Sequence, residues 1–247
     1  MPKPVYLLSD LHLPVGASAL RKTFLAFLEG PARSASEIYI LGDLFEYWVG
    51  DDAGLEHYRA EVHALRSLHD AGVKVSFQHG NLDFLVGRTF ADTAGVTLLP
   101  ETQTVELGGE RVLLAHGDQY CTADRGYQRW RGFSRNYPIQ FLFGCLPRSL
   151  RARIGGGVRR RSSAQKSTLA MDIMDVSEDA IRAQFEESGV DRIIHGHTHR
   201  PADHAYDIGG RPRIRTVLAD WRPDYCEVLR ADDSGFTRVP LSLASSD

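Results

Sequence analysis

Val5-Tyr-Leu-Leu-Ser-Asp-Leu-His12 decides the fold: a short apolar run breaks off into Asp10 and, two residues on, His12. Residues i and i+2 of an extended segment point to the same side. A carboxylate and an imidazole therefore leave together where a buried strand ends, which is half of a metal site. Asp-x-His is common by chance, so its weight depends on whether the event recurs.

It recurs four times. Ile38-Tyr-Ile-Leu41 ends in Gly42-Asp43, and the run over 73–77 leads to His79-Gly80-Asn81-Leu82-Asp83. Arg111-Val-Leu-Leu-Ala115 ends in His116-Gly117-Asp118, and Arg192-Ile-Ile194 delivers His195-Gly196-His197-Thr198-His199. Helical patterns lie between: 18–30 with Leu20, Phe24, Phe27 and Leu28 on one face, 54–70, a segment with Phe84, Leu85 and Phe90 stopped by Gly95, and one capped by Ser177. Gly108-Gly109 joins Thr104-Val-Glu-Leu107 to the fourth run as a hairpin, and further strands are predicted near 213–219, 225–229 and 235–239. Strands alternating with helices read as an α/β fold, whose ligands collect at the carboxyl ends of strands.

Singly, a strand-end Asp is usually a turn or cap residue and a lone His a satisfied core residue. Five such endings favour one cleft holding Asp10, His12, Asp43, Asn81, His116, His197 and His199. These groups exceed the needs of one ion. They imply two ions sharing a carboxylate, about 3.5–4 Å apart, an arrangement that clamps both oxygens of a phosphoryl displacement. Carboxylate, amide and imidazole donors without thiolate suit Mn²⁺, with Fe²⁺ or Zn²⁺ as alternatives. His79 and His195 read as supporting or core residues; His57, His63, His69 and His204 carry no site signal.

The chain has 247 residues, 43% of them hydrophobic and 25% charged, enough for one sizeable core with an elaboration. Its three cysteines, Cys121, Cys145 and Cys226, form no paired spacing, which argues against a disulfide framework and for a reducing compartment. Neither a leader's apolar region nor a run near the ~20 residues of a membrane span is visible, so a soluble protein is expected. Residues 123–171 differ in kind. No Asp or Glu lies between Asp124 and Asp172, although the whole chain carries a net charge of −3. Arginines, including Arg131, Arg151 and the Arg159-Arg160-Arg161 triplet, alternate there with Trp130, Phe133, Tyr137, Phe141 and Leu142. The organisation expected is a core of 1–122 and 172–247 with a mostly helical, basic and apolar insert.

Asp10-x-His12, Gly42-Asp43, Gly80-Asn81-x-Asp83, His116-Gly117 and Gly196-His197-x-His199 resemble, in order, the five sequence blocks of the calcineurin-like metallophosphoesterases. The resemblance implies an α/β two-sheet sandwich flanked by helices. It also implies that Asp10, His12, Asp43 and His199 hold one metal and Asp43, Asn81, His116 and His197 the other, with Asp43 bridging. A hydroxide between the ions would attack phosphorus.

A narrower likeness spans nearly the whole chain. Ile40-Leu-Gly-Asp-Leu-Phe-Glu46, Trp48-Val-Gly-Asp-Asp52, Cys121-Thr122 with Asp124, Ile173-Met-Asp-Val176 and His195-Gly-His-Thr-His-Arg-Pro201 resemble the UDP-2,3-diacylglucosamine pyrophosphatase family of lipid A biosynthesis. This implies Mn²⁺-dependent hydrolysis of that lipid-linked nucleotide to lipid X and UMP, at the cytoplasmic face of the bacterial inner membrane. It further implies substrate contacts from Asn81, Asp124, Ser162, Lys166 and His197, and 123–171 as a cap for the acyl chains. Exposed arginines would dock on anionic lipid, at about 1 kcal/mol per charge near the surface. Neither nucleic acid nor an obligate protein partner is expected. The alternative is a phosphodiesterase or pyrophosphatase for a soluble nucleotide or nucleic acid.

One position departs from the pattern. Leu82 stands where this family has Arg and many other metallophosphoesterases have His. Leucine neither donates a proton nor pairs with phosphate, so another cation would have to supply that contact. Asp83 reads equally as an orienter of the site or as an N-cap for a helix starting near Phe84.

Overall fold

The computed structural model describes residues 3–166 and 175–244, and side chains up to residue 157 within the helix that closes the first stretch. The chain runs β1 (Val5–Leu8), α1 (Ala19–Glu29), β2 (Glu37–Leu41), α2 (Asp51–His57), α3 (Arg59–Asp70), β3 (Lys74–Gln78), α4 (Arg88–Ala94) and β4 (Thr97–Leu98). The hairpin β5 (Thr102–Leu107) and β6 (Glu110–Ala115) follows, then α5 (Arg125–Ser134), α6 (Tyr137–Gly144), α7 (Arg148–Lys166) and α8 (Glu178–Ser188). Strands β7 (Arg192–His195), β8 (Ala202–Ile208), β9 (Arg211–Val217), β10 (Glu227–Asp232) and β11 (Gly235–Pro240) complete it.

Two mixed sheets face each other, ordered β11-β10-β1-β2-β3-β4 and β5-β6-β7-β9-β8. The two-residue alternation of strands explains how one strand serves two cores. Leu7, Tyr39 and Leu41 turn inward to meet Leu114, Ile194 and Leu229 between the sheets. Tyr6, Leu8, Ile38 and Ile40 turn outward and bury Phe24, Phe27, Leu65 and Phe90 of α1, α3 and α4. On the far face, Leu113 and Ile193 pack against Ile181 and Phe185 of α8. The sandwich flanked by helices is the α/β architecture expected.

β1, β2 and β3 run parallel in the first sheet, as do β6, β7 and β9 in the second. Their carboxyl ends share one edge of the sandwich. The Gln78 amide stitches the sheets there, donating to Leu114 O (3.1 Å) and Pro100 O (2.9 Å).

Several local expectations need correction. The pattern over 54–70 is two helices, because Tyr58 leaves helical geometry at φ −113° and ψ 33° while its hydroxyl donates to Leu13 O. Phe84 and Leu85 precede the helix that was to contain them, since α4 starts only at Arg88 with Gly87 at its N-cap. That removes the N-cap reading of Asp83. Ser177 occupies the N-cap of α8 in extended geometry, but its side chain makes no capping bond. β4 and β8 were not foreseen; β8 carries an Asp203-His204 pair and alternates only weakly.

The expected availability of the insert's arginines is also revised. Arg131 and Arg135 pair with Asp118 and Glu101, while Arg148 and Arg151 pair with Asp52. These four fasten the helices to the sandwich; Arg131, Arg135 and Arg151 are largely covered there, while Arg148 stays exposed. Arg125, Arg129 and Arg153 remain on the surface. Among the described residues, no helix is long and apolar enough to cross a membrane.

Candidate metal centre

The loop after β1 continues alongside the loop after β2. Asp10 N donates to Gly42 O (3.1 Å), His12 N to Asp43 O (3.0 Å) and Leu13 N to Leu44 O (2.9 Å). From the second sheet, Gly196 N bonds His116 O, and Trp221 N bonds Asp10 O. Both sheets thus deliver their loops to one cleft by backbone hydrogen bonds.

Each acidic group is held by one oxygen and presents the other. Asp10 Oδ2 accepts from Ser9 Oγ (2.6 Å) and His197 N (2.8 Å), and Asp43 Oδ1 accepts from Leu82 N (2.8 Å). Asp10 Oδ1 then lies 3.3 Å from His199 Nε2 and 3.9 Å from His12 Nε2. Asp43 Oδ2 lies 3.9 Å from both His12 Nδ1 and His116 Nε2. Asn81 Oδ1 is 3.1 Å from His116 Nε2, and the His116 and His197 ring centroids are 5.1 Å apart. The structure thus brings together all seven groups singled out in the sequence.

These residues fit a pair of cations. Donor atoms of Asp10, His12 and His199 lie within 4.8 Å of one another, as do those of Asp10, Asp43 and His116. Asp10 belongs to both triplets, and Asp43 Oδ2 stands 3.9 Å from a nitrogen of His12 and of His116 alike. His116 Nδ1 lies 2.8 Å from Leu41 O, which holds the ring's proton on that side and turns the Nε2 lone pair inward. Burial alone would push Asp10 up, but His199, His116 and His12 outweigh it and hold the carboxyl well below its usual range. Asp10 is ready as an anion.

The backbone supplies a second sign. Among the described residues, the non-glycine positions with positive φ are Asp10 (56°), His12 (47°), Asp43 (51°), His197 (66°) and His199 (55°). Such strain concentrates at functional sites, and here every case is a candidate ligand. The glycines beside them are required by contact. A Cβ on Gly80 would lie 2.1 Å from Asp43 Oδ1, and one on Gly196 2.1 Å from Asp10 Oδ2.

Asp83 lies just behind. It is wholly buried, and accepts from Gly80 N and Leu44 N, both at 2.8 Å. Burial first, and then the charge of Asp43, push its pKa up to about 7. It ties the Asp43 loop to the Asn81 loop, as an orienter would. His79 bonds Val86 O and has its pKa lowered by burial, and His195 is driven down to about 4 by burial and Arg215. Both are supporting residues.

Sequence reasoning assigned no role to several supports. Asp118 is buried and accepts from Tyr127 Oη (2.6 Å), Arg131 Nε (2.9 Å) and Arg135 Nη2 (3.0 Å), while Tyr127 stacks on His197 at 6.0 Å. Arg135 Nη2 also donates to Gly80 O (3.1 Å), joining α5 to the Asn81 loop. Asp220 stands 3.7 Å behind His199 Nδ1. Asp118 was legible as part of His116-Gly117-Asp118; no local pattern marks Asp220.

The expected substrate contacts are less uniform. Asp124 caps α5, its Oδ1 accepting from Tyr127 N (2.8 Å). The side chains of Ser162 and Lys166, together with Ile173 and Met174, lie outside the described residues. Next to Asn81, an apolar cavity of about 210 Å³ opens between α5, α6, α7 and the 47–49 and 81–85 loops, and Leu82 forms part of its wall.

Residues 3–201 match the Calcineurin-like phosphoesterase family. Among curated proteins, the chain is 44% identical to a UDP-2,3-diacylglucosamine hydrolase of Pseudomonas syringae pv. tomato, covering 97% of this chain and 98% of that one. It is 42% identical to one of Pseudomonas paraeruginosa (97% and 99% covered) and 43% identical to one of Shigella sonnei (95% and 98%). With the five loop endings gathered on one edge of a two-sheet sandwich, the chain belongs to the calcineurin-like phosphoesterase family.

Proposed function

We propose that this protein hydrolyses UDP-2,3-diacylglucosamine to 2,3-diacylglucosamine 1-phosphate (lipid X) and UMP in lipid A biosynthesis, with Mn²⁺ as the working metal. The observation that carries this reading is the apolar cavity beside Asn81, which puts a slot for acyl chains next to a centre suited to a diphosphate. Relatives that share the name across their whole length support it.

In this reading Asp10, His12, Asp43 and His199 hold one cation, and Asp43, Asn81, His116 and His197 the second. When bound, the pair supplies Lewis-acid charge to the phosphoryl oxygens and makes water nucleophilic near neutral pH. The chain's part is orientation. Leu41 O fixes the His116 ring, and Tyr127 supports the His197 ring face. Leu82 offers no acid, and none is needed because a phosphate ester leaves as a weak base. Its side chain in the cavity wall turns this position from phosphate contact to acyl contact.

Residues 123–171 act as the cap. Asp124, Ser162 and Lys166, with Asn81 and His197, are its proposed polar contacts to substrate. Trp130, Phe133, Tyr137, Phe141 and Leu142 are exposed beside Arg125, Arg129 and Arg153, a composition suited to the anionic cytoplasmic face of the inner membrane.

The test is a comparison of UDP-2,3-diacylglucosamine with UDP-glucosamine lacking acyl chains, on protein loaded with Mn²⁺. Strong preference for the acylated compound is expected. Equal rates would favour a soluble nucleotide substrate instead. Asp43→Ala should abolish turnover in a folded protein, and wild-type-like activity in that variant would defeat the assignment.

A further inference from the structure

Arg151, on α7, is only 5% exposed although its partner Asp52 sits at the surface of the sandwich. Its guanidinium meets Asp52 as a fork, Nη1 to Oδ1 at 2.9 Å and Nη2 to Oδ2 at 2.5 Å. Nη1 also donates to Val49 O, and Nε to Leu146 O (3.0 Å). The notch that receives it is specific. Gly50 has φ +130°, and a Cβ there would lie 2.2 Å from Arg151 Nη1.

Arg151 does not line the cavity, but the groups it fixes do. Ile154 and Gly155, three and four residues on, share its helical face and form one wall. Val49, whose carbonyl Arg151 holds, faces them; a Cβ on Gly155 would come within 2.7 Å of Val49 Cγ1. On the other side, α5 is fastened independently through Arg131 and Arg135 to Asp118. α6 roofs the space and has no buried residue. The width of the cavity is therefore set by two pinned helices.

We propose that the Asp52–Arg151 pair is a positioning device that fixes the α7 wall of the cavity, and so governs how tightly an acylated substrate is held without touching the reacting atoms. This rests on the acyl-slot reading above. Among the described residues, the backbone bonds of Asp10, His12, Asp43, His116 and His197 run between the loops after β1, β2, β6, β7 and β9 and not to α7, so the pair should act on KM and leave the phosphodiester chemistry alone.

The experiment compares wild type, Arg151→Ala, Arg151→Lys and Asp52→Asn, all full-length and loaded with Mn²⁺. Each is assayed on UDP-2,3-diacylglucosamine and on bis(p-nitrophenyl) phosphate, which needs no acyl slot. Arg151→Ala and Asp52→Asn should raise KM for the acylated substrate about ten-fold or more, since small misplacements of a binding wall are costly. Turnover of the small diester should stay within about two-fold. Arg151→Lys should fall between, because lysine offers a point charge where the fork makes two bonds. Unchanged KM, or equal losses of kcat on both substrates, would overturn the proposal. If wild type fails to prefer the acylated substrate, the functional reading falls first. Binding of cis-parinaric acid to metal-free protein then judges the pair alone: weaker binding in Arg151→Ala and Asp52→Asn upholds it, and equal binding overturns it.

Discussion

Replacing Asp83 with Asn separates what the centre needs from what the fold needs. The carboxylate accepts from Gly80 N at one oxygen and Leu44 N at the other, both 2.8 Å, with Phe45 N at 3.5 Å beside the second. An amide accepts at one end only, and its NH₂ sets donor against donor at the other. One short bond to a charged group is lost, about 1.5–3 kcal/mol, and a stranded buried N–H adds about 1–3 kcal/mol. The opposing term is large. A folded pKa of about 7 against an unfolded value near 3.9 means that keeping Asp83 ionised at pH 7 costs about 4 kcal/mol, a cost that grows from about pH 4 to 7. The amide removes it. The two sides nearly cancel, so the metal-free Asp83→Asn variant should melt within about 8 °C of wild type, at roughly 2–4 °C per kcal/mol. Metal binding has no such compensation, because the loops of Asp43 and Asn81 lose their common tie. Supporting groups of this kind are typically worth about 10–100-fold in affinity. Calorimetric titration of Mn²⁺ alongside melting curves measures both. A variant with unchanged affinity would refute the reasoning, whatever its melting temperature.

Gly196→Ala should abolish metal uptake, because its Cβ would stand 2.1 Å from both Asp10 Oδ2 and Ser9 Oγ; wild-type metal content by atomic emission would contradict this. Glu61→Ala strands Arg21, which binds the fully buried Glu61 at 2.6 and 2.7 Å, and should cost about 3–5 kcal/mol by urea unfolding, with activity of the folded protein retained. A loss below about 1 kcal/mol would show that the pair behaves like a surface one. His195 is held neutral, its pKa lowered to about 4, so on acidification the unfolded chain takes up a proton first. Stability should fall between about pH 6.5 and 4, by as much as about 3 kcal/mol, and His195→Gln should flatten that slope. Parallel curves for the two proteins would count against it.

The sandwich and the centre were legible because both are written in short-range pattern. Each apolar run, from Val5 to Ile194, announces a buried strand, and each polar break announces its end. Strand order is not local information. β8 reads Ala-Asp-His-Ala-Tyr-Asp-Ile, with adjacent Asp203 and His204 breaking any clear alternation, and its pairing with β9 makes it a strand. Tyr58 breaks a helix that periodicity would continue, because a hydroxyl bond to Leu13 O, distant in sequence, decides the matter. The same limit explains the arginines. Composition marks 125–171 as basic, but whether Arg151 faces lipid or Asp52 depends on a contact across 99 residues.

The left-handed backbone at Asp10, His12, Asp43, His197 and His199 has a consequence outside the cleft. Each such residue costs about 1–2 kcal/mol, so the five together approach the 5–15 kcal/mol that keeps a typical domain folded. Ions that bind only the native form return that free energy by mass action. A cell starved of divalent metal should then lose this protein by degradation as well as by inactivity. Its abundance would follow metal supply, without any regulator of expression being needed.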